Sequence, residues 1–139
     1  MAIVNHPADG VPLEFLAGRA LELRRHMLAM SRRIGQGYIG QGLGIADIMA
    51  ALYFSELRYD PQDVDWAVRD RFVMSTGHYS LALWATLAVA AVIPVAELET
   101  YGADESRLDM STLDTTPGVE VIGGSLGQGL GQTPMMTTL

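Results

Sequence analysis

The first periodic segment of the chain predicts a long amphipathic helix. Apolar residues recur every three or four positions from Leu13 to Ile34, which places one stripe on a helix of about six turns. Pro12 favours a helix start here, because proline is tolerated in a first turn. Residues 1–10 lack this pattern and are expected to form a flexible N-terminus. The stripe comprises Leu13, Leu16, Ala20, Leu23, Met27, Met30 and Ile34.

A glycine-rich bend follows this helix and leads into a second one, expected from Ile45 to about Leu57. Gly35, Gly37 and Gly40 match the dinucleotide-binding pattern G-x-G-x-x-G, but that motif follows a strand, whereas a helix precedes it here. The bend either brings backbone close to a ligand or lets two helices pack closely, and we favour close packing.

Two short apolar runs predict β-strands, at Phe72–Ser75 and Val119–Ile122. Between them the pattern predicts a helix from Ser80 to about Ala91, followed by a short acidic helix from Val95 to Tyr101. The first of these helices is expected to bury one face, formed by Leu83, Trp84, Leu87 and Ala91. With so few strands to cover them, the apolar helix faces predict a mostly helical protein that self-associates, a homo-oligomer.

The composition narrows the function classes. The 139 residues carry a formal net charge of −7 with a pI near 4.7, and they lack the basic stripe that a nucleic-acid backbone requires. Cysteine is absent, and the three histidines have no metal-ligand spacing. The sequence contains neither a signal-peptide pattern nor an apolar run long enough to span a bilayer. We therefore expect one cytoplasmic domain that binds neither nucleic acid nor membrane.

All nine basic residues are arginines, and five lie on the first predicted helix. Such a cluster is more typical of a solvated helix face than of an anion site. The five are Arg19, Arg24, Arg25, Arg32 and Arg33.

His78 follows the first predicted strand through a glycine hinge, Thr76-Gly77-His78, and precedes a helix. In α/β sheets ligands bind beyond the carboxyl ends of strands, where a histidine can donate to a phosphate or transfer a proton. A capping or core histidine, hydrogen-bonded within the fold, is the alternative interpretation.

The second predicted strand runs directly into a group of glycines. Glycine at this density indicates backbone that approaches a ligand closely or adopts positive φ, so main-chain groups are expected to hold the ligand. A flexible surface loop is the alternative interpretation. The glycines are Gly123, Gly124, Gly127, Gly129 and Gly131.

Three blocks of sequence together resemble the amino-terminal half of transketolase, with matching order and spacing over about 13–130. The blocks are Ala46-Asp-Ile-Met-Ala-Ala-Leu-Tyr-Phe54, Arg69-Asp-Arg-Phe-Val-Met-Ser-Thr-Gly-His78 and Thr116-Pro-Gly-Val-Glu-Val-Ile-Gly-Gly-Ser-Leu-Gly-Gln-Gly-Leu130.

The resemblance implies an α/β fold: a partial thiamine diphosphate-binding domain over residues 11–131, mostly helical with a small parallel sheet. It implies an enzyme that moves a two-carbon ketol unit between sugar phosphates and works with a carboxyl-terminal half or subunit. His78 is similar to the family histidine beside the cofactor and donor substrate. Gly124, Ser125 and Leu126 match the backbone that lines the cofactor, with Gly127 giving room for the approach.

The chain departs from the family pattern at two expected substrate contacts. Tyr38 stands where transketolases have a histidine, and Met110 falls near a second one. A phenol can donate a hydrogen bond but carries no charge at neutral pH. A thioether neither donates a hydrogen bond nor carries a charge. A standard pentose phosphate substrate is therefore not assumed.

A third departure concerns magnesium. The family motif Gly-Asp-Gly and a later Asn, which bind the ion and fix the diphosphate, are not found in this sequence. Pro134 is expected to interrupt the helix after the glycines, so residues 132–139 are interpreted as a tail outside the family pattern. We expect thiamine diphosphate and magnesium in the intact enzyme only, with no metal ligand and no activity in this chain alone. The alternative is a non-catalytic interaction or assembly protein derived from the same fold.

Overall fold

The computed structural model describes residues 10–136, with side chains up to residue 132. The five α-helices of this part are α1 (Leu13–Ile34), α2 (Ile39–Gly44), α3 (Ala46–Ala51), α4 (Ser80–Val89) and α5 (Gln128–Met136). A π-helical turn, Leu52–Glu56, extends α3, and 3₁₀ helices lie at Gly77–Tyr79 and Val95–Thr100.

Helix α1 confirms the predicted amphipathic helix. The middle of its stripe is buried, whereas Leu13 at the start is 84% exposed. Gly35 ends the helix in the left-handed conformation, with φ of 71°, and donates its N–H to the Ser31 carbonyl. A salt bridge between Arg24 and Asp47 joins α1 to α3. The buried stripe residues are Ala20, Leu23, Met27 and Met30.

Helix α4 lies at the centre of the core, and its residues from Ser80 to Ala88 are all buried. The expectation of one buried face is therefore wrong, because neighbouring elements cover every side of this apolar helix. Its polar groups find internal partners. The Thr86 hydroxyl donates to the Ala82 carbonyl at 2.6 Å, and the Trp84 indole donates to the Asp109 carbonyl at 2.8 Å.

The second predicted helix, Ile45 to about Leu57, is confirmed as α3 with its π-helical turn, and the glycine-rich bend before it forms a separate short helix, α2. Gly42 is buried there, and a Cβ on it would lie 3.1 Å from the Met27 sulfur. Gly37, at φ of 126°, would clash with Leu81 in the same way at 2.8 Å. The glycines thus permit close packing of α1, α2 and α4, which is the interpretation that the sequence favours.

The predicted small parallel sheet is absent from residues 10–136, so the sheet part of the α/β prediction is not confirmed. Phe72–Ser75 and Val119–Ile122 run as irregular segments that lie side by side. Two neighbouring segments make a marginal sheet, and strand propensity depends on flanking strands to pair with. Without them, side chains rather than a backbone ladder connect these segments.

Both ends of the chain bear on the predicted domain limits. The flexible N-terminus is expected over residues 1–10. Of these, residues 1–9 lie outside the described residues, and only Gly10 is described. Pro134 does not end the last helix, because α5 continues to Met136. A proline removes one hydrogen bond and strains a helix without always stopping it.

None of the helices within residues 10–136 combines the length and apolar character that a membrane span needs.

Candidate active site

An open cleft of about 870 Å³ lies where the chain segments around His78 meet residues 123–127, here called the glycine loop. Its walls come from four stretches of sequence, namely the turn before α2, the start of α4, the irregular segment before residue 112 and the loop before α5. The lining residues are Gln36, Gly37, Tyr38, His78, Asp109, Met110, Ser111, Gly124 and Leu126.

His78 is delivered to this cleft by the 3₁₀ turn Gly77–Tyr79 that leads into α4. Its half-buried ring packs between two tyrosines in edge contacts. The ring centroids are 5.0 Å from Tyr38 and 4.6 Å from Tyr79. These contacts hold the imidazole at the cleft wall, so the interpretation of His78 as a core histidine has no support from its position.

The glycine loop is fixed at both ends by hydroxyl groups. The Gly123 N–H donates to Thr112 Oγ1 at 2.7 Å, and the Gly129 N–H donates to Ser75 Oγ at 3.0 Å. Gly123 also touches the Gly77 backbone, which brings the loop against the histidine turn. The segment between the two anchored amides is therefore held at the cleft, directly before the N-terminus of α5.

Most of the predicted site residues come together in this cleft. Tyr38, His78, Gly124 and Leu126 all line it. Ser125 and Gly127 are exposed in the same loop but do not line the cleft. Gly127 adopts φ of 84°, a conformation that favours glycine, and Gly124 has open space where a side chain would stand.

Sequence reasoning missed three polar lining residues, Gln36, Asp109 and Ser111. The Asp109 carboxylate accepts the Met110 N–H at 2.6 Å, and its carbonyl accepts from the Trp84 indole. Asp109 lies in an irregular segment without periodicity, so no pattern points to it. The only available signal is its position beside Met110, which the family resemblance places near a substrate.

The cleft carries little positive charge. Asp109 and His78 are its ionisable lining groups apart from the Tyr38 phenol, and none of the arginines in the described part of the chain lines it. Two arginines of α1 interact outside the cleft: Arg24 pairs with Asp47, and Arg33 donates to the Tyr101 carbonyl. Across the described residues, no group of three or more His, Asp or Glu side chains could hold a metal ion.

Comparison with known proteins shows the family to which the chain belongs. The family model described as the thiamine diphosphate binding domain of transketolase matches residues 19–139. The chain therefore belongs to the transketolase family. The match continues through residues 132–139, the stretch that the sequence analysis assigns to a tail.

Individual relatives agree with this assignment. An uncharacterized transketolase family protein of Sinorhizobium fredii is 56% identical over 117 residues, which is 84% of this chain and 42% of that protein. The 6-deoxy-6-sulfo-D-fructose transketolase subunit of a Clostridium species is 36% identical over 115 residues, 82% of this chain and 42% of that subunit. The chain thus spans less than half the length of these curated relatives.

A solved structure supports the same fold. The crystal structure of transketolase from Campylobacter jejuni superposes with a TM-score of 0.80 and 30% sequence identity. The superposition covers 86% of this chain and 19% of the Campylobacter chain. The described architecture is therefore that of an amino-terminal section of transketolase.

Proposed function

We propose that this chain forms the cofactor-facing and substrate-facing section of an enzyme that moves a two-carbon ketol unit between sugar phosphates. The observation that carries the proposal is the single cleft in which Tyr38, His78, Gly124 and Leu126 meet. These residues come from segments far apart in sequence, and they coincide with positions that resemble the family's site. Membership of the transketolase family supports the reaction class.

The loop between the anchored amides of Gly123 and Gly129 fits a diphosphate. Gly124 and Gly127 leave open space for a ligand, and the loop leads directly into the N-terminus of α5. Backbone N–H groups before a helix N-terminus favour phosphate, because they donate hydrogen bonds and the helix dipole attracts negative charge. Gly124, Ser125, Leu126 and Gly127 would hold thiamine diphosphate through their main chain.

The chemistry that thiamine diphosphate would supply here, when held by this loop, is the nucleophilic activation needed for ketol transfer. His78 would donate a hydrogen bond to the cofactor or the donor substrate and move a proton near them. Its ring is held edge-on by Tyr38 and Tyr79, which limits its rotation. A histidine suits this role because an imidazole can both donate and accept a hydrogen bond.

The substrate would meet two side chains that differ from the family pattern, Tyr38 and Met110. Both line the cleft, and Tyr38 is half exposed to it. The phenol donates a hydrogen bond without charge, and the thioether is a weak acceptor. We infer a sugar preference that differs from that of standard transketolases, and the relative named for a sulfonated fructose illustrates such variety in the family.

The proposed active form contains this chain, a carboxyl-terminal transketolase half and magnesium. We propose that it acts in the cytoplasm. The chain spans 42% of each of the two curated relatives described above, so the remainder of the site would come from a longer form or a partner chain. We propose that this chain alone does not turn over substrate.

A ketol-transfer assay tests this function. The chain is mixed with a carboxyl-terminal transketolase half from the same genome, thiamine diphosphate, magnesium and a panel of ketose and aldose phosphates. We expect transfer only when both chains are present, and none from either alone. Transfer that is equally fast without this chain would contradict the proposal.

A second candidate function is a non-catalytic interaction or assembly protein. Ile122, Leu126 and Leu130 favour it, because these apolar side chains are 55%, 68% and 82% exposed along one stretch. Exposed apolar patches mark association sites. Sedimentation at tens of micromolar tests this, with Leu130→Ser as the variant. Oligomers that Leu130→Ser disrupts, together with no ketol transfer under any pairing, would favour this candidate.

A further inference from the structure

A buried carboxylate connects the two segments that build the cleft. Glu120, whose side chain is 6% exposed, lies 2.5 Å from an Arg69 nitrogen through Oε1 and 2.8 Å from an Arg71 nitrogen through Oε2. Arg69 is also largely buried, with 10% of its side chain exposed. One carboxylate therefore balances two guanidinium groups, of which Arg69 is largely buried and Arg71 is 36% exposed.

The position of this cluster gives it a role beyond packing. Arg69 and Arg71 stand at the start of the segment that ends in the His78 turn. Glu120 stands just before the loop that contains Gly124. Because these segments form no strand within residues 10–136, a backbone ladder does not set their spacing. The ion pairs, the contact between Gly77 and Gly123, and the Ser75 hydroxyl that accepts the Gly129 N–H hold them together instead.

Surrounding groups fix the inner arginine, and two further carboxylates, Asp60 and Asp70, line the same cavity as Arg69 and Glu120. Arg69 donates through Nε to the Val64 carbonyl and through Nη1 to the Asp70 carbonyl at 3.2 Å. The Tyr53 and Tyr59 side chains also line this small cavity of about 30 Å³. Burial raises the pKa of Tyr59 to about 12 and also raises the pKa of Tyr53, so both phenols stay neutral.

We propose that Glu120 is a positioning residue that sets the distance between His78 and the loop Gly124–Gly127 by pairing with Arg69 and Arg71 together. This inference rests on the proposed function of the cleft. Removal of the carboxylate charge deletes the anion through which the Glu120 segment is attracted to Arg69 and Arg71. Without this attraction the two segments would separate, and the loop would move away from the histidine.

Nuclear magnetic resonance of the 139-residue chain tests the proposal with Glu120→Gln. The matched control is Glu97→Gln, since Glu97 also makes a two-point pair, with Arg107 at 2.5 and 2.8 Å. In Glu120→Gln we expect shifted His78 ring signals and at least about 10-fold faster exchange of the two hydrogen-bonded amides, Gly123 and Gly129. Exchange in α4 should accelerate by a smaller factor, because the globally protected core responds only to the loss of overall stability. The control should leave the His78 and loop signals unchanged.

Arg71→Gln provides a second variant if Glu120→Gln does not fold. The Arg71 side chain is 36% exposed, so its loss disturbs the core less and leaves the Arg69 pair in place. A smaller shift of the same His78 and loop signals supports the proposal. Unchanged signals in the folded variants, or faster exchange spread evenly over α1 and α4, would overturn it. Neither result affects the ketol-transfer assay, so a failure of the positioning role is distinct from a failure of the proposed function.

Discussion

Gly77 and Gly123 meet backbone to backbone, so closely that a Cβ on Gly77 would lie 2.2 Å from the Gly123 carbonyl oxygen. A Cβ on Gly123 would lie 2.5 Å from the Gly77 Cα. Real Cβ atoms essentially never make contacts this short, so neither position accepts a side chain without movement of the main chain. This contact is the point at which the histidine turn and the glycine loop are joined.

Gly77→Ala is therefore expected to destabilise the protein by roughly 2 kcal/mol or more, because the added methyl group overpacks against backbone. Urea unfolding followed by circular dichroism measures the change. Gly124→Ala, in the loop that faces Gly77, is the matched control, since no heavy atom beyond its chain neighbours lies within 4 Å of the place its Cβ would take. The control should stay within about 0.5 kcal/mol of the parent. Equal effects in the two variants would show that the contact is looser than described.

His78→Ala tests the assignment of the cleft. In the two-chain enzyme we expect turnover to fall about 100-fold while the free energy of unfolding changes by less than about 1 kcal/mol. The reason is that His78 lies at the cleft wall rather than within the core. His26→Ala, at a histidine on α1 that lines a different groove, should retain full turnover. A large loss of stability with no separate kinetic effect would assign His78 to packing instead.

Helix α4 ends in a Schellman motif that uses alanine where glycine is usual. The Val92 N–H donates to the Leu87 carbonyl at 2.9 Å and the Ala91 N–H to the Ala88 carbonyl at 3.1 Å, with Ala91 at φ of 60°. Ala91→Gly should raise the free energy of unfolding by about 0.5 kcal/mol, because relief of left-handed strain exceeds the added unfolded-state entropy.

The neighbouring position gives the control. Ala90 is buried at φ of −77°, which alanine adopts freely, so Ala90→Gly should instead destabilise by about 1 kcal/mol. Urea midpoints of the two variants and the parent give the comparison. Destabilisation by both substitutions to the same extent would mean that the motif carries no strain.

The Glu97–Arg107 pair predicts a pH dependence of stability. Hydrogen bonding from Arg107 lowers the pKa of the Glu97 carboxyl below its ordinary value of 4.5, and burial opposes this only in part. Because the pKa of Glu97 is lower in the folded state, the pair's contribution to the free energy of unfolding is fully present above pH 4.5. That contribution is lost as the pH falls through the pKa of the folded state. The urea midpoints of the parent and Glu97→Gln should differ at pH 7 and converge as the pH falls below 4.5 through the folded pKa. A constant difference across this range would contradict the assignment.

The sequence predicts the helices better than the segments between them. The stripe from Leu13 to Ile34 is sufficient for α1, because a helical period over many residues depends little on distant contacts. The strands predicted at Phe72–Ser75 and Val119–Ile122 do not form, since strand formation depends on partners that local sequence does not describe. Their adjacency in space is nevertheless implied by the resemblance to transketolase.

The site is predictable in part. His78 and Gly124 are found because a glycine hinge and a glycine run leave a recognisable pattern, and the family resemblance brings Tyr38 to the same place. Asp109 is missed because its segment has neither periodicity nor a motif. The role of Glu120 is also missed, since a single Glu in an apolar run gives no sign of the two arginines that it pairs with.

Titration of the isolated chain with thiamine diphosphate tests the central claim most directly. Backbone hydrogen bonds contribute about 1 kcal/mol net each, which does not offset the several kcal/mol lost when the ligand is immobilised. We expect amide and ring shifts confined to Gly124–Gly127, His78 and Tyr38, without saturation at millimolar cofactor and magnesium. Saturable, magnesium-dependent micromolar binding would contradict the claim that this chain holds only part of the site. Shifts elsewhere with none at the cleft would contradict the site itself.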